Sequence, residues 1–345
     1  MKRLKALKGS RTFVLIILLI ALILLVGLLN PSKFYAMANL QSMGRQLSEI
    51  GIYALAMFTV VVSGGLNLSI VAVANFSAIC GGCIMQGIYL GDIIVDPTMR
   101  LIVGLIVSLG TGVLSGLLNG YFVAGLGLTA VLVTSATSQL FQGMALVLTK
   151  GNSIVGAPEM ISALGTQNMF GVVPYLLVLT IVCYAICEFI FEKTCFGAQC
   201  RLLGANSTAS MYSGISNFKT LMKSYMLSGL FSAIAGLVSY SRMSALRPDY
   251  GTSLTNNAML VVLMGGAWIV AGGGKILNIF ISLFCIQVIS SGLTLGGTST
   301  YTRDTVWGLM LVGLLVFATP EMKGYLKRLF HIGGHRDLRS AEVRK

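Results

Sequence analysis

The sequence predicts an all-α polytopic membrane protein of about ten transmembrane helices, with a weak internal repeat and short broken helices. Three observations carry that prediction. Of 345 residues, 55% are hydrophobic and only 10% charged, with a mean hydropathy of +0.86, which leaves too little polar surface to cover a soluble globule. The long apolar runs lack the period-two alternation of barrel strands, and in lipid only helices or closed barrels satisfy their own backbone. The 24 Lys and Arg outnumber the 11 Asp and Glu and cluster at the chain ends and in a few connectors. The whole chain, 1–345, therefore reads as one membrane domain, with spanning segments over 12–319, a cytosolic loop at 192–218 and a basic cytosolic tail at 320–345.

At roughly 20 residues per crossing, spans are predicted at 12–30, 46–63, 70–90, 100–120, 128–148, 171–191, 219–241, 256–271, 276–296 and 303–319. The first follows Lys2, Arg3, Lys5, Lys8 and Arg11 as a signal peptide would, and Ala36-Met37-Ala38 mimics a cleavage site. Its apolar core, Phe13 to Leu29, is longer than a secretory core, so it reads as a retained span. The second ends in VVSGGLNLSI, Val61 to Ile70, and VLMGGAWIVA, Val262 to Ala271, repeats that pattern in the same direction through the membrane. In each copy a Gly-Gly pair, Gly64-Gly65 and Gly265-Gly266, is expected to break the helix, as happens beside transport paths. Tight helix packing is the plainer use of the same glycines. The stretch from 128 to 170 leaves room for a re-entrant segment.

Between the sixth and seventh spans lies Glu192 to Phe218, the longest internal segment with cytosolic chemistry. Asn206 is placed to cap a helix over Ser207 to Ser213, and Gly214 supplies the left-handed residue that ends it. Such a helix exposes Met211 and Tyr212, an apolar pair suited to docking on another protein and out of place in an ordinary polar connector.

Orientation follows from the basic residues. With the N-terminus in the cytosol, 17 Lys and Arg fall inside and seven outside, namely Lys33, Arg45, Arg100, Lys150, Arg242, Arg247 and Arg303. The positive-inside rule favours a multi-pass protein of the cytoplasmic (inner) membrane with both termini cytosolic. The same tails explain the net charge of +13 through anionic lipid, without nucleic acid.

Enzyme chemistry finds little material. Gly274-Lys275 lacks the spacing of a phosphate-binding loop. His331 and His335 sit in the tail, so no triad or metal set is assembled within the spans and no cofactor is expected. Five of the seven cysteines, Cys80, Cys83, Cys183, Cys187 and Cys285, lie in apolar runs as small packing residues, and Cys195 and Cys200 fall in the cytosolic loop, where thiols stay reduced. The spans read as almost free of ionisable groups, with Glu188 expected to pair with Lys193 or to reach the interface. What they offer is neutral polarity: Asn67, Asn75, Gln139, Gln142, Asn256 and Asn257, along with Asn119 and Gln287. Amides can lead a neutral, hydroxyl-rich solute along a path, or simply bond helix to helix.

Gly64-Gly65-Leu66-Asn67-Leu68-Ser69, Gly116-Leu117-Leu118-Asn119-Gly120, Gly204-Ala205-Asn206 with Ala209, Ser213-Gly214-Ile215 and Gly265-Gly266 occur in that order. As an ordered set over residues 46 to 319 they resemble the permease subunits of ribose and galactose type ABC importers, which depend on a binding protein. Asn67 departs from the Asp usual there. The resemblance implies a single permease domain that works with ABC ATPase subunits, an extracytoplasmic solute-binding protein and a second permease subunit, as homodimer or heterodimer. It also implies that the loop from Gly204 to Ile215 is the element that seats in the ATPase, which supplies the hydrolysis. The expected cargo is a sugar or sugar-like neutral solute; nucleosides, branched-chain amino acids and signalling furanoses are carried by related importers. A secondary carrier or facilitator, and a membrane scaffold without transport, are the competing classes.

Overall fold

A helix that is apolar on every side has two stable environments, lipid or the protein interior, and this chain uses both. The computed structural model describes residues 11–88, 95–169, 171–267 and 272–318. Helix α1 (Arg11–Leu29) turns Val14, Ile17, Leu24 and Leu25 outward. After the single turn α2 (Pro31–Phe34), helix α3 (Met37–Val61) is enclosed over Gly51 to Val61. Helix α4 (Ile70–Met85) is likewise buried along nearly its whole length. Around these two pack α5 (Pro97–Gly120), which continues as a π-helical turn over Tyr121–Gly125, α6 (Ala130–Thr149), α8 (Tyr175–Lys193), α11 (Asn217–Met243), α12 (Leu254–Gly265) and α13 (Ile276–Leu295). Helix α1 lies against α13, and α14 (Thr300–Ala318) against α12.

Each predicted segment holds a helix over part of its described residues. Among the described residues, six are long and apolar enough to cross a membrane: α1, α5 with its π turn, α6, α8, α11 and α13; α4 and α12 are apolar but shorter. The chain is thus an all-α, multi-pass membrane protein. Where the boundaries differ, the reason is local. The third segment, expected to reach residue 90, ends as a helix at Met85. The eighth stops at Gly265 because Gly266 adopts φ +93°, a left-handed cap.

Two parts of the architecture were not foreseen. Residues 150–174 hold α7 (Glu159–Thr166) and two short antiparallel ladders: β1 (Ile154–Val155) with β4 (Ala245–Leu246), and β2 (Asn168–Met169) with β3 (Val173–Pro174). Helix α7 closes onto the end of α11, where Ser241 Oγ donates to the Ile161 carbonyl at 2.5 Å. The loop at 192–218 contains α9 (Cys195–Ala205) before the predicted short helix, α10 (Ser207–Tyr212). Lys2, Arg3, Lys5 and Lys8, the end of the second Gly-Gly repeat from Trp268 to Ala271, and the tail at 320–345 lie outside the described residues.

Helices α5 and α11 cross backbone against backbone. Gly104, Ser108, Gly112, Gly116 and Gly120 recur every fourth residue and so form one stripe on α5. A Cβ on Gly112 would press on Ala233 and on the Gly229 carbonyl, one on Gly116 on the Tyr225 carbonyl, and one on Gly229 on the Gly112 carbonyl. In lipid, where apolar burial gives helices little reason to associate, such backbone approach supplies the van der Waals contact that holds them. Leu in place of Gly112 or Gly229 should therefore force the helices apart, at the cost of about 1–3 kcal/mol or more that overpacking typically incurs. Leu at Gly110, which has open space around its Cβ position, should be tolerated. Thermal unfolding in detergent checks this: melting temperatures of G112L and G229L should fall well below that of G110L.

Candidate functional site

Helix α11, 27 residues long, covers about 40 Å at 1.5 Å per residue and joins the two ends of the bundle that carry distinctive chemistry.

At its N-terminal end is a protruding knuckle. Thr194 caps α9, and Arg201 pairs with Glu192 and donates to the Gly274 carbonyl at 2.9 Å. Asn206 then caps α10, its Oδ1 accepting from the Thr208 and Ala209 amides at 3.0 Å each. Ser210 is buried under the turn, and Gly214 ends it at φ +76°. Asn217 Nδ2 donates to the Ser207 carbonyl at 3.0 Å and closes the loop. Ala209 faces solvent, Ile215 is half-buried, and Met211 and Tyr212 stand 60% and 84% exposed. Burial pushes the Cys200 thiol up to about 11, so it remains protonated and unreactive; Cys195 is exposed.

The knuckle rests on the first helix break and on Gly272. Gly204 ends α9 where a Cβ would meet the Val62 carbonyl and come 3.1 Å from Gly272 Cα. Gly64, at φ +85°, faces Gly204 Cα from the other side, 3.3 Å from its own Cβ position. Gly65 turns inward against Val60 and Tyr225, and Gly265 against Ile279. Gly64, Gly204 and Gly272, far apart in sequence, thus meet as bare backbone.

At the far end of α11 lies a polar cleft of about 310 Å³, walled by Gln46 and Glu49 of α3, Arg242 of α11, Asn257 of α12, Ser290 of α13, and Arg303, Asp304 and Trp307 of α14. Glu49 is 2% exposed. Its Oε2 meets Arg242 Nη2 at 2.6 Å, and its Oε1 accepts from Ser239 Oγ at 2.6 Å. Arg242 Nη2 also donates to the Tyr250 hydroxyl at 2.6 Å. Burial, and next the Glu49 carboxylate, push the Tyr250 phenol up to about 12, so it keeps its proton across the physiological range. Arg242 Nε, Asn257 Oδ1 and Arg303 Nε are buried without a hydrogen-bond partner.

This pair corrects the sequence reading that the spans are almost free of ionisable groups: Glu49 is buried within a predicted span and pairs with Arg242. Helix α3 begins at Met37, so Glu49 lies a dozen residues inside it. A usable signal was present: one carboxylate and one arginine, each at the same end of a different predicted span. Glu188 is half-buried with its Oε2 unpartnered, and Glu192 pairs with Arg201.

The predicted path residues separate. Asn67 Nδ2 donates to Ser228 Oγ at 2.9 Å and its Oδ1 accepts from the Ser69 amide and hydroxyl. Asn119 reaches the same hydroxyl at 2.8 Å. Asn75 donates to the Pro248 and Tyr250 carbonyls. These amides brace helices. Asn257 lines the cleft, with Asn256 exposed beside it. Gln139 is exposed and Gln142 half-buried on α6, whose first two turns form, with Phe122 and Leu128, an apolar groove of about 460 Å³.

A family model described as branched-chain amino acid transport system, permease component, matches residues 39–315. The ribose import permease protein of Bacillus subtilis (strain 168) is 31% identical over 303 residues, covering 85% of this chain and 88% of that protein. The L-arabinose transport system permease protein of Escherichia coli (strain K12) is 28% identical, covering 84% and 85%. An autoinducer 2 import system permease protein of Photorhabdus laumondii is 29% identical, covering 87% and 88%. No solved structure matches the chain.

Removing one partner of a buried ion pair strands the other charge, typically at about 3–5 kcal/mol; Arg242 retains some solvent, so the lower part of that range applies. E49A and R242A should each lower the melting temperature in detergent, and E49Q/R242Q should recover part of the loss. A double-mutant cycle on unfolding temperatures reads the coupling directly.

Proposed function

Because this chain belongs to the family of branched-chain amino acid transport system permease components, we propose that it is the membrane subunit of an ATP-driven importer for a sugar or sugar-like neutral solute. The matched relatives are permeases for ribose, L-arabinose and autoinducer 2, and the family model covers most of the chain. The observation that carries the reading is α10: six residues capped at both ends, holding an apolar Met and Tyr out in solvent. A fixed apolar knob of that kind is the shape of a docking element. ABC ATPase subunits seat on it and supply the hydrolysis, and an extracytoplasmic solute-binding protein delivers cargo to the opposite end.

In this reading the chain crosses the cytoplasmic membrane ten times with both termini cytosolic, α10 inside and the polar cleft outside. All residues form one permease domain. The solute route passes Gln139, Gln142, Asn256 and Asn257, with Asn67 and Asn75 bracing the helices beside it. Gln139 supports a second permease subunit: an amide on an outward apolar face is poorly served by lipid and well served by a protein neighbour. The break at Gly64-Gly65 lets the knuckle act on the end of α3, and Gly265-Gly266 breaks α12 in the same manner.

Two experiments test it. Y212A removes the exposed aromatic anchor, and G214V forces a β-branched residue into a left-handed position. Both should insert normally yet lose most co-purification of the ATPase subunit and most vesicle uptake; normal recruitment and transport would reduce the loop to a connector. For topology, single cysteines at Lys150 and Lys219 in an otherwise Cys-free chain should react with an impermeant reagent from opposite sides. Reaction from one side alone would overturn the proposed arrangement.

A further inference from the structure

We propose that the cleft closed by the Glu49–Arg242 pair is a receiving site for a neutral, polyhydroxylated solute at the outer end of the bundle, a role that rests on the importer reading above. Three observations point there. The acidic and basic residues of the lining balance, Glu49 and Asp304 against Arg242 and Arg303, so the cleft has no excess of either sign to draw an ion in. Orphaned groups of both kinds remain: Arg242 Nε and Arg303 Nε are donors, and Asn257 Oδ1 is an acceptor on a side chain 8% exposed. Buried polar atoms are seldom left without partners, and a hydroxyl, being donor and acceptor at once, can answer either kind.

The third observation is fixation. Ser239 and Arg242 hold the two oxygens of Glu49, and Tyr250 in turn holds Arg242. The carboxylate is therefore oriented before any solute arrives, which lowers the ordering cost of binding. Gln46 is steadied in the same way by Gln287 Nε2 at 3.3 Å, and Ile50, Leu254 and Trp307 give the cleft apolar surface. Oriented polar groups beside apolar ones match the two kinds of face that a sugar ring presents, its hydroxyls and its C–H bonds.

The test uses the purified full-length chain in detergent and saturation-transfer NMR, with D-ribose, L-arabinose and the charged analogue D-ribonate as ligands. The wild type should give transfer signals with the two neutral sugars and none with ribonate. N257A should weaken binding about tenfold, as expected for losing a hydrogen bond in an enclosed site, and E49Q should do the same; Y212A, at the other end of the molecule, should bind as the wild type does. Because E49Q can also unsettle the fold, N257A and S290A, which leave the ion pair intact, decide the matter at matched melting temperature. Equal binding by wild type and N257A overturns the proposal. So does a wild type that binds neither sugar while vesicles carrying it with its ATPase and binding protein take sugar up, an outcome that leaves the importer reading standing. Vesicles that take up neither sugar would remove the sugar reading and this site with it.

Discussion

Direct backbone contact between α5 and α11 fixes the position of nearly everything else in the molecule. Helix α11 also packs against α3 and α4, carries Arg242 to the cleft and starts beside the knuckle, so a shift of its axis displaces both ends. Its axis is set by glycines: Gly112 and Gly116 of α5 lie on the Gly229 and Tyr225 backbone. From that seam the polar contacts follow. Tyr225 reaches the Leu66 carbonyl at 3.3 Å and Ser228 the Ala56 carbonyl at 2.7 Å, and Ser228 receives Asn67, which holds the turn between α3 and α4. A few small residues thus allow a chain of hydrogen bonds that larger ones would hold out of reach.

The Glu49–Arg242 pair belongs to a different class of interaction. Desolvating both charges offsets much of their mutual attraction, so a buried pair is weak evidence for stability. What it does fix is register: α3 and α11 can meet in only one alignment if Oε1 is to find Ser239 and Oε2 to find Arg242. The wall of the cleft is consequently set by charge pairing, whereas the core beneath it is set by apolar packing among residues such as Ile52, Leu55 and Phe58.

Much of this was legible from residue types. Apolar runs announce helices because lipid leaves the backbone no other partner, and the Asn206 cap with its Gly214 stop was readable because both act within a few residues of sequence. The cleft was not, since it is assembled from five helices whose polar residues are each unremarkable alone. Glu49 illustrates the difficulty: it sits before a stretch of apolar residues and looks like a boundary, yet α3 starts twelve residues earlier. Asn67 and Asn75 show the reverse, because an amide inside a span has the same letter whether it faces a solute or a neighbouring carbonyl. Helix α9 was missed because its mixed sequence, CFGAQCRLLGA, has no capping signal stronger than one threonine.

The meeting of Gly204 with Gly64 and Gly272 has a mechanical consequence. Interdigitated side chains resist sliding, since each must leave its rotamer well before the next contact forms. Bare backbone against bare backbone has no such teeth. At Gly204 the knuckle therefore meets the end of α3 and Gly272 as a plain bearing would, while the Arg201 bond to the Gly274 carbonyl ties it to the second of these segments. Any side chain introduced at Gly204 would turn that bearing into a lock.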